Sequence, residues 1–147
     1  MEFTKMHGLG NDYLFVNLLD CPDNEDKTDW AALSRLASDR YKGAGSDGII
    51  LICRPHADGD FRMRIFNADG SEGEMCGNGI RCVGRFVYDH GYTKERALSI
   101  ETRAGLRRLQ LRVDEQGHAS EVVVDMGVPA PLPIPAQTAV PLRGLTG

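Results

Sequence analysis

The sequence predicts an α+β lobe, with six to eight short strands, mostly in hairpin order, around one buried helix. Three observations carry this prediction. Short runs of branched and aromatic residues recur between clusters of Gly, Asp and Asn. Few stretches show helical periodicity, so strands rarely alternate with helices as a doubly wound parallel sheet requires. One of those stretches, residues 77–90, is apolar over most of its circumference, which marks a helix covered on most sides. The 147 residues, 41% apolar and 26% charged, suffice for one soluble domain with its own core.

Phe3 to His7 reads as a first strand, Gly8 to Asp12 as a turn and Tyr13 to Leu19 as a second strand. Asn11 at that tip has an amide that both donates and accepts, although asparagine also fills turns with no further role. Cys21 to Lys27 is polar and loop-like. Thr28 and Asp29 supply a cap and an acid for a helix from Trp30 to Tyr41. Its apolar face is Trp30, Leu33, Leu36, Ala37 and Tyr41, and Gly43 stops it. The Gly43–Gly48 loop lacks the Gly-Lys-Ser/Thr ending of a nucleotide loop and leads into a buried strand, Ile49 to Cys53, rather than a helix. Cys53 reads as a small core hydrophobe.

Asp60 to Asn67 alternates Phe61, Met63 and Ile65 against Arg62, Arg64 and Phe66, the pattern of a half-buried strand. A glycine-rich polar turn then enters the helix from Gly77 to His90. Ile80, Cys82, Val83, Phe86, Val87 and Tyr88 cover most of it, and Arg81, Arg85 and Asp89 form a narrow polar stripe. Strands follow at Leu98–Arg103, Gly105–Val113 and Ser120–Met126, with a turn at Glu115–Gly117. The lobe is assigned to residues 1–128. Residues 129–147 carry five of the seven prolines and read as a linker or the start of another unit.

The formal charge of −4 comes with no long basic run, which argues against a nucleic-acid partner. Arg103, Arg107, Arg108 and Arg112 alternate with leucines and read as an exposed strand face. No apolar run approaches the ~20 residues that span a bilayer, and the N-terminus lacks a signal-peptide pattern. A cytoplasmic location and no membrane partner are expected. Cys21, Cys53, Cys76 and Cys82 form no CxxC pair, so neither a metal site nor a disulfide framework is expected.

Cys76 stands where the polar turn enters the helix. A helix N-terminus has unpaired N–H groups and attracts anions, and it favours the thiolate of a cysteine. An anion cradle beside a reactive thiol is one reading, and a structural turn cysteine is the other. Cys82 lies six residues on, ~9 Å along a helix and turned by ~240°, so it reads as core.

Three separated segments resemble diaminopimelate epimerase: Lys5-Met6-His7-Gly8-Leu9-Gly10-Asn11-Asp12-Tyr13, Gly43-Ala44-Gly45-Ser46-Asp47-Gly48, and Arg64 to Ser71 continued by Met75 to Cys82. The resemblance spans residues 1–128. It implies a curled antiparallel sheet wrapped around a central helix, as one of two similar lobes with the substrate held between them. It implies a cofactor-independent epimerase acting on a small amino-acid substrate, LL- or meso-diaminopimelate. Cys76 matches the catalytic cysteine of the first lobe, and Asn11, Asn67, Gly77 and Asn78 match substrate contacts. Some members carry a contacting glutamine where this chain has Gly48, so no side-chain contact is expected there. The second lobe's Gly-Cys-Gly-Thr-Gly-like motif has no match, so the chain alone is expected to be inactive. A related racemase of another amino acid, or a carboxylate-binding fragment without catalysis, stays open. An exposed half-cleft would favour a homodimer.

Overall fold

The computed structural model describes residues 1–127, so the proline-rich segment assigned to 129–147 lies outside the described residues. Strands β1 (Thr4–Gly8) and β2 (Asn11–Asn17) form an antiparallel hairpin. Its loop is only Leu9 and Gly10, with φ of 50° and 93°. Positive φ at both positions matches the loop to the twist of the strands. Glycine takes it freely, whereas Leu9 pays about 1 kcal/mol. This tight loop leaves Asn11 and Asp12 in the strand, where the sequence suggested a longer turn.

The segment expected to be a loop forms one helical turn, α1 (Asn24–Lys27). Helix α2 (Trp30–Ser38) starts as expected, with the Asp29 carboxylate accepting from the Ala32 N–H at 3.0 Å. It ends three residues early. Leu36 and Tyr41, assigned to its buried face, are 72% and 98% exposed. The chain turns out at Asp39, and residues 43–46 fold back over the helix end. There the N–H groups of Gly43, Gly45 and Ser46 donate to the carbonyls of Asp39, Ala37 and Ser38 at 2.9, 3.0 and 3.1 Å. The glycine-rich loop thus satisfies helix-end carbonyls that otherwise lack partners.

Strand β3 (Gly48–Cys53) is buried along its whole length. Ile50 and Ile52 face one core, shared with Ile80, Val83 and Val87 of α3 (Gly77–Asp89). Ile49, Leu51 and Cys53 face a second core under Trp30. Burial on both faces explains its unbroken apolar run. Strand β4 (Phe61–Asn67) runs antiparallel to β3, and the two-residue β5 (Glu72–Gly73) pairs with β4. Strands β6 (Ala97–Thr102), β7 (Gly105–Val113) and β8 (Ala119–Asp125) complete the sheet in the order β1-β2-β3-β4-β6-β7-β8.

The α+β class holds, and the sheet is mixed rather than wholly antiparallel: β2–β3 and β4–β6 are parallel pairs. Neither pair is joined by a hairpin. The first connection carries α1 and α2 and the second carries α3, as a crossover requires. Both outer strands, β1 and β8, pack on α3, so the sheet curls around the helix.

The α1 turn has a role that its polar sequence concealed. Glu25 lies 2.6 Å from Arg62 and 3.1 Å from Arg64, and Arg64 also pairs with Glu72 at 2.8 Å. Burial raises the Glu25 pKa, but the two guanidinium groups outweigh it and hold the carboxyl below its ordinary value. A carboxyl with a depressed folded pKa stabilises the fold above its unfolded value and loses that contribution as pH falls. Glu25→Gln is therefore expected to cost about 2 kcal/mol at pH 7, below the ~3–5 kcal/mol of a fully buried pair because Glu25 and its arginines keep some contact with solvent. The gap should narrow once pH drops below the ordinary 4.5. Urea unfolding at pH 7 and pH 3 checks this, and an equal gap at both would contradict it.

Candidate active site

Cys76 is the N-cap residue of α3. Its backbone is extended, with φ −138° and ψ 112°, and its Sγ accepts from the Gly79 N–H at 3.3 Å. The residue is half-buried. Gly79 makes this possible, since a Cβ there would meet Ile50 Cδ1 at 2.5 Å and lie 3.4 Å from Cys76 Sγ. The helix start therefore sits hard against β3 while the thiol keeps an open side. The N–H groups of Gly77 and Asn78, in the first turn, have no acceptor within the helix.

The hairpin delivers Asn11 to this point. Asn78 Nδ2 donates to Asn11 Oδ1 at 3.4 Å, and Arg81 Nη1 donates to Asn78 Oδ1 at 3.4 Å. Gly8 packs close by: a Cβ there would lie 3.4 Å from the Asn78 carbonyl and 3.6 Å from Cys82 Sγ, an ordinary contact. Asn11, Cys76, Gly77 and Asn78 are thus brought together.

Asn67 arrives by a different route. It ends β4, paired with Gly48 at the start of β3. Because β2 and β3 run parallel and β4 opposes them, Asn11, Gly48 and Asn67 all lie at the same end of the sheet. No hydrogen bond links Asn67 to the Cys76 group; its amide donates to Ser71 Oγ at 3.0 Å. At Gly48 a Cβ would stand 2.1 Å from the Phe66 carbonyl oxygen, so the close β3–β4 pairing excludes a side chain there.

One residue of the site escaped the sequence reading. Tyr13 is 7% exposed, and its hydroxyl is pushed up to about 12, by burial first and then by the neighbouring Cys76, with the Asn11 amide opposing. The signal was present: residues 11 and 13 of a strand share a face, so a tip Asn11 implies Tyr13 beneath it.

The other thiols differ in setting. Cys53 is 1% exposed and burial pushes its thiol up to about 12. Cys82 is buried in the core on α3 and raised by burial, with Cys76 the next cause. It lines a 170 Å³ hollow with His7, Asn78, Arg81 and Arg85, beside the site. Cys21 is exposed. A 700 Å³ concavity over β6, β7 and β8 shares no residue with the site. Among the described residues, no three His, Cys, Asp or Glu side chains come together to hold a metal, and no helix is long and apolar enough to cross a membrane. The arrangement offers a half-buried thiol, backbone donors and amide groups, which suits a carboxylate-bearing ligand and a proton transfer at one face.

A family model described as diaminopimelate epimerase matches residues 3–131. The diaminopimelate epimerase of Agathobacter rectalis is 56% identical over 129 residues, covering 88% of this chain and 43% of the relative. That of Acetivibrio thermocellus is 50% identical over 129 residues, covering 88% and 44%. The chain therefore spans less than half the length of these curated relatives. Among solved structures, a methylitaconate-delta-isomerase matches with TM-score 0.63 at 20% identity, covering 80% of this chain and 35% of that one. A probable proline racemase from Agrobacterium radiobacter K84 matches with TM-score 0.62 at 20% identity, covering 83% and 40%. At that identity the likeness is one of fold.

The settings of the four thiols give an expected order of alkylation. Limiting iodoacetamide at pH 8 should label Cys76 and the exposed Cys21 while Cys53 stays unmodified. Its thiolate fraction is about a thousandfold below that of a thiol at the ordinary 9.0. Peptide mapping checks this, and labelling of Cys53 or Cys82 ahead of Cys76 would contradict it.

Proposed function

We infer the function from one premise: the chain belongs to the diaminopimelate epimerase family. On this reading it is the N-terminal lobe of an isomerase that interconverts LL- and meso-2,6-diaminopimelate without a cofactor, a step of lysine biosynthesis. The observation that carries the reading is Cys76 at the N-cap of α3, with its Sγ 3.3 Å from the Gly79 N–H and Asn11 held against Asn78 beside it.

Inverting an α-carbon means removing its hydrogen as a proton from one face and returning a proton to the other. The Cys76 thiolate takes the proton on its face and becomes the thiol. The electron pair left on carbon spreads into the α-carboxylate, where the N–H groups of Gly77 and Asn78 stabilise the growing charge. Asn11 and Asn67 orient polar groups of the substrate. A second thiol on the opposite face gives its proton to the carbanion, and the roles exchange in the reverse direction. Each acting atom must stand about 3–3.5 Å from the carbon. Cys82 does not fit this role, being buried in the core on the same helix that Cys76 caps, so it does not face Cys76 across a substrate carbon. The second cysteine therefore comes from outside the described residues, and the chain alone does not racemise its substrate.

The test is incubation in D₂O with LL-diaminopimelate, read for deuterium at the α-carbon and for meso product. The chain alone should give no inversion. Co-expressed with the portion of the Agathobacter rectalis relative that it does not match, it should form deuterated meso product, and Cys76→Ala should remove that activity by about 10³-fold or more. Inversion by the chain alone, or activity surviving Cys76→Ala, would overturn the reading.

A further inference from the structure

We propose that Asp47 is a positioning residue for this site, tying the hairpin that carries Asn11 to the strand end that carries Asn67. The proposal rests on the reading of those two asparagines as substrate contacts. Three hydrogen bonds make the tie, one through the Asp47 carboxylate and two through its main chain. The carboxylate, bonded to the Asp12 N–H and to Arg40, holds that main chain in place. The Asp12 N–H donates to Asp47 Oδ2 at 3.0 Å, and the Asp47 N–H donates to the Asp12 carbonyl at 2.7 Å. The Ala68 N–H donates to the Asp47 carbonyl at 3.0 Å. Asp12 follows Asn11 and Ala68 follows Asn67, so the peptides next to both contacts close on one residue. On the helix side, buried Ser34 donates to the Asn67 carbonyl at 2.8 Å.

Arg40 locks the joint from outside. Its Nη2 donates to Asp12 Oδ1 at 2.8 Å and Asp47 Oδ1 at 3.1 Å, and its Nη1 donates to Asp12 Oδ2 at 3.2 Å. Lys5 Nζ stands 3.3 Å from Asp12 Oδ2. Arg40 and then Lys5 hold the Asp12 carboxyl well below the ordinary carboxylate range, with burial opposing. Two carboxylates thus face two cations, and the cluster adds no net charge near a site that must accept an anion. This gives the Gly43–Gly48 segment a purpose: it caps α2 on one side and presents Asp47 on the other.

The test uses the chain itself, with Cys76 as reporter and Cys21 as an internal reference. In the native chain, Cys76 should favour iodoacetate over iodoacetamide more than Cys21 does, because the helix start accepts the carboxylate. Asp47→Ala should shift the Asn11 and Asn67 side-chain amide signals together in NMR spectra. It should also lower the iodoacetate preference of Cys76 about threefold or more through misplacement of the contacts. Asp47→Asn keeps an oxygen for the Asp12 N–H and should retain the preference. A purely electrostatic role predicts the opposite sign, since deleting a negative charge raises reaction with an anion. Arg40→Met, at a half-exposed side chain, should give the same joint amide shift if Asp47→Ala does not fold. Unmoved amides, or a raised preference in Asp47→Ala, would overturn the proposal. Absence of any preference in the native chain would instead count against the carboxylate cradle, leaving the joint amide shift to decide on Asp47.

Discussion

Helix α3 sets the central constraint of this lobe: it must be covered on nearly all sides while its first turn stays open. Ile80, Val83 and Val87 are fully buried, and both outer strands of the sheet pack on the helix. Gly79 and Gly84 are the price of that closeness. A Cβ at Gly84 would meet Leu109 Cδ2 at 2.8 Å, as one at Gly79 would meet Ile50. Wrapping a sheet around a helix buries the apolar surface of both and leaves the helix ends as the openings. Cys76 stands at one of them. The place of Cys76 therefore follows from how the core closes, and its surroundings come from strand ends that reach the same rim.

Polar chemistry at that rim is built from pairs that answer each other. Asn78 meets Asn11, Arg81 meets Asn78, and Asp12 meets Asp47. Further down the sheet, Glu101 accepts the N–H groups of His56, Ala57 and Gly59 at 2.8, 2.7 and 3.0 Å and holds the β3–β4 connection in shape. Such carboxylates do for loops what capping residues do for helices: they satisfy N–H groups that no ladder reaches.

The sequence made some of this legible and hid the rest for identifiable reasons. The helix start at Cys76, the continuous apolar run of β3 and the alternation in β4 are local signals, and each element formed within a residue or two of its expected bounds. Leu36 and Tyr41 were misread for different reasons: Leu36 lies within α2 but off the face that Trp30, Ser34 and Ser38 bury, and Tyr41 lies beyond the helix end. The single turn of α1 was missed because Glu25 is held by arginines far along the chain, a tertiary interaction without local trace. Tyr13 and Asp47 were missed alike: one looked like a strand aromatic and the other like loop filler. Tyr13 stands out only once it is buried against Cys76, and Asp47 meets Asp12 only because β3 pairs with β2.

That parallel pairing also bears on how the chain reaches this shape. A sheet made only of hairpins assembles from neighbours, each turn closing a short loop. Here Leu14 to Asn17 must find Ile49 to Ile52 across two intervening helices, and Phe61 must find Ile100 across α3. Loop-closure entropy is lost before those contacts return anything, which slows folding in proportion to how non-local the pairings are. The central strands, the best buried in the finished lobe, therefore depend on the most distant encounters. Until they meet, the unpaired edge of β3 is an apolar ribbon open to any other strand.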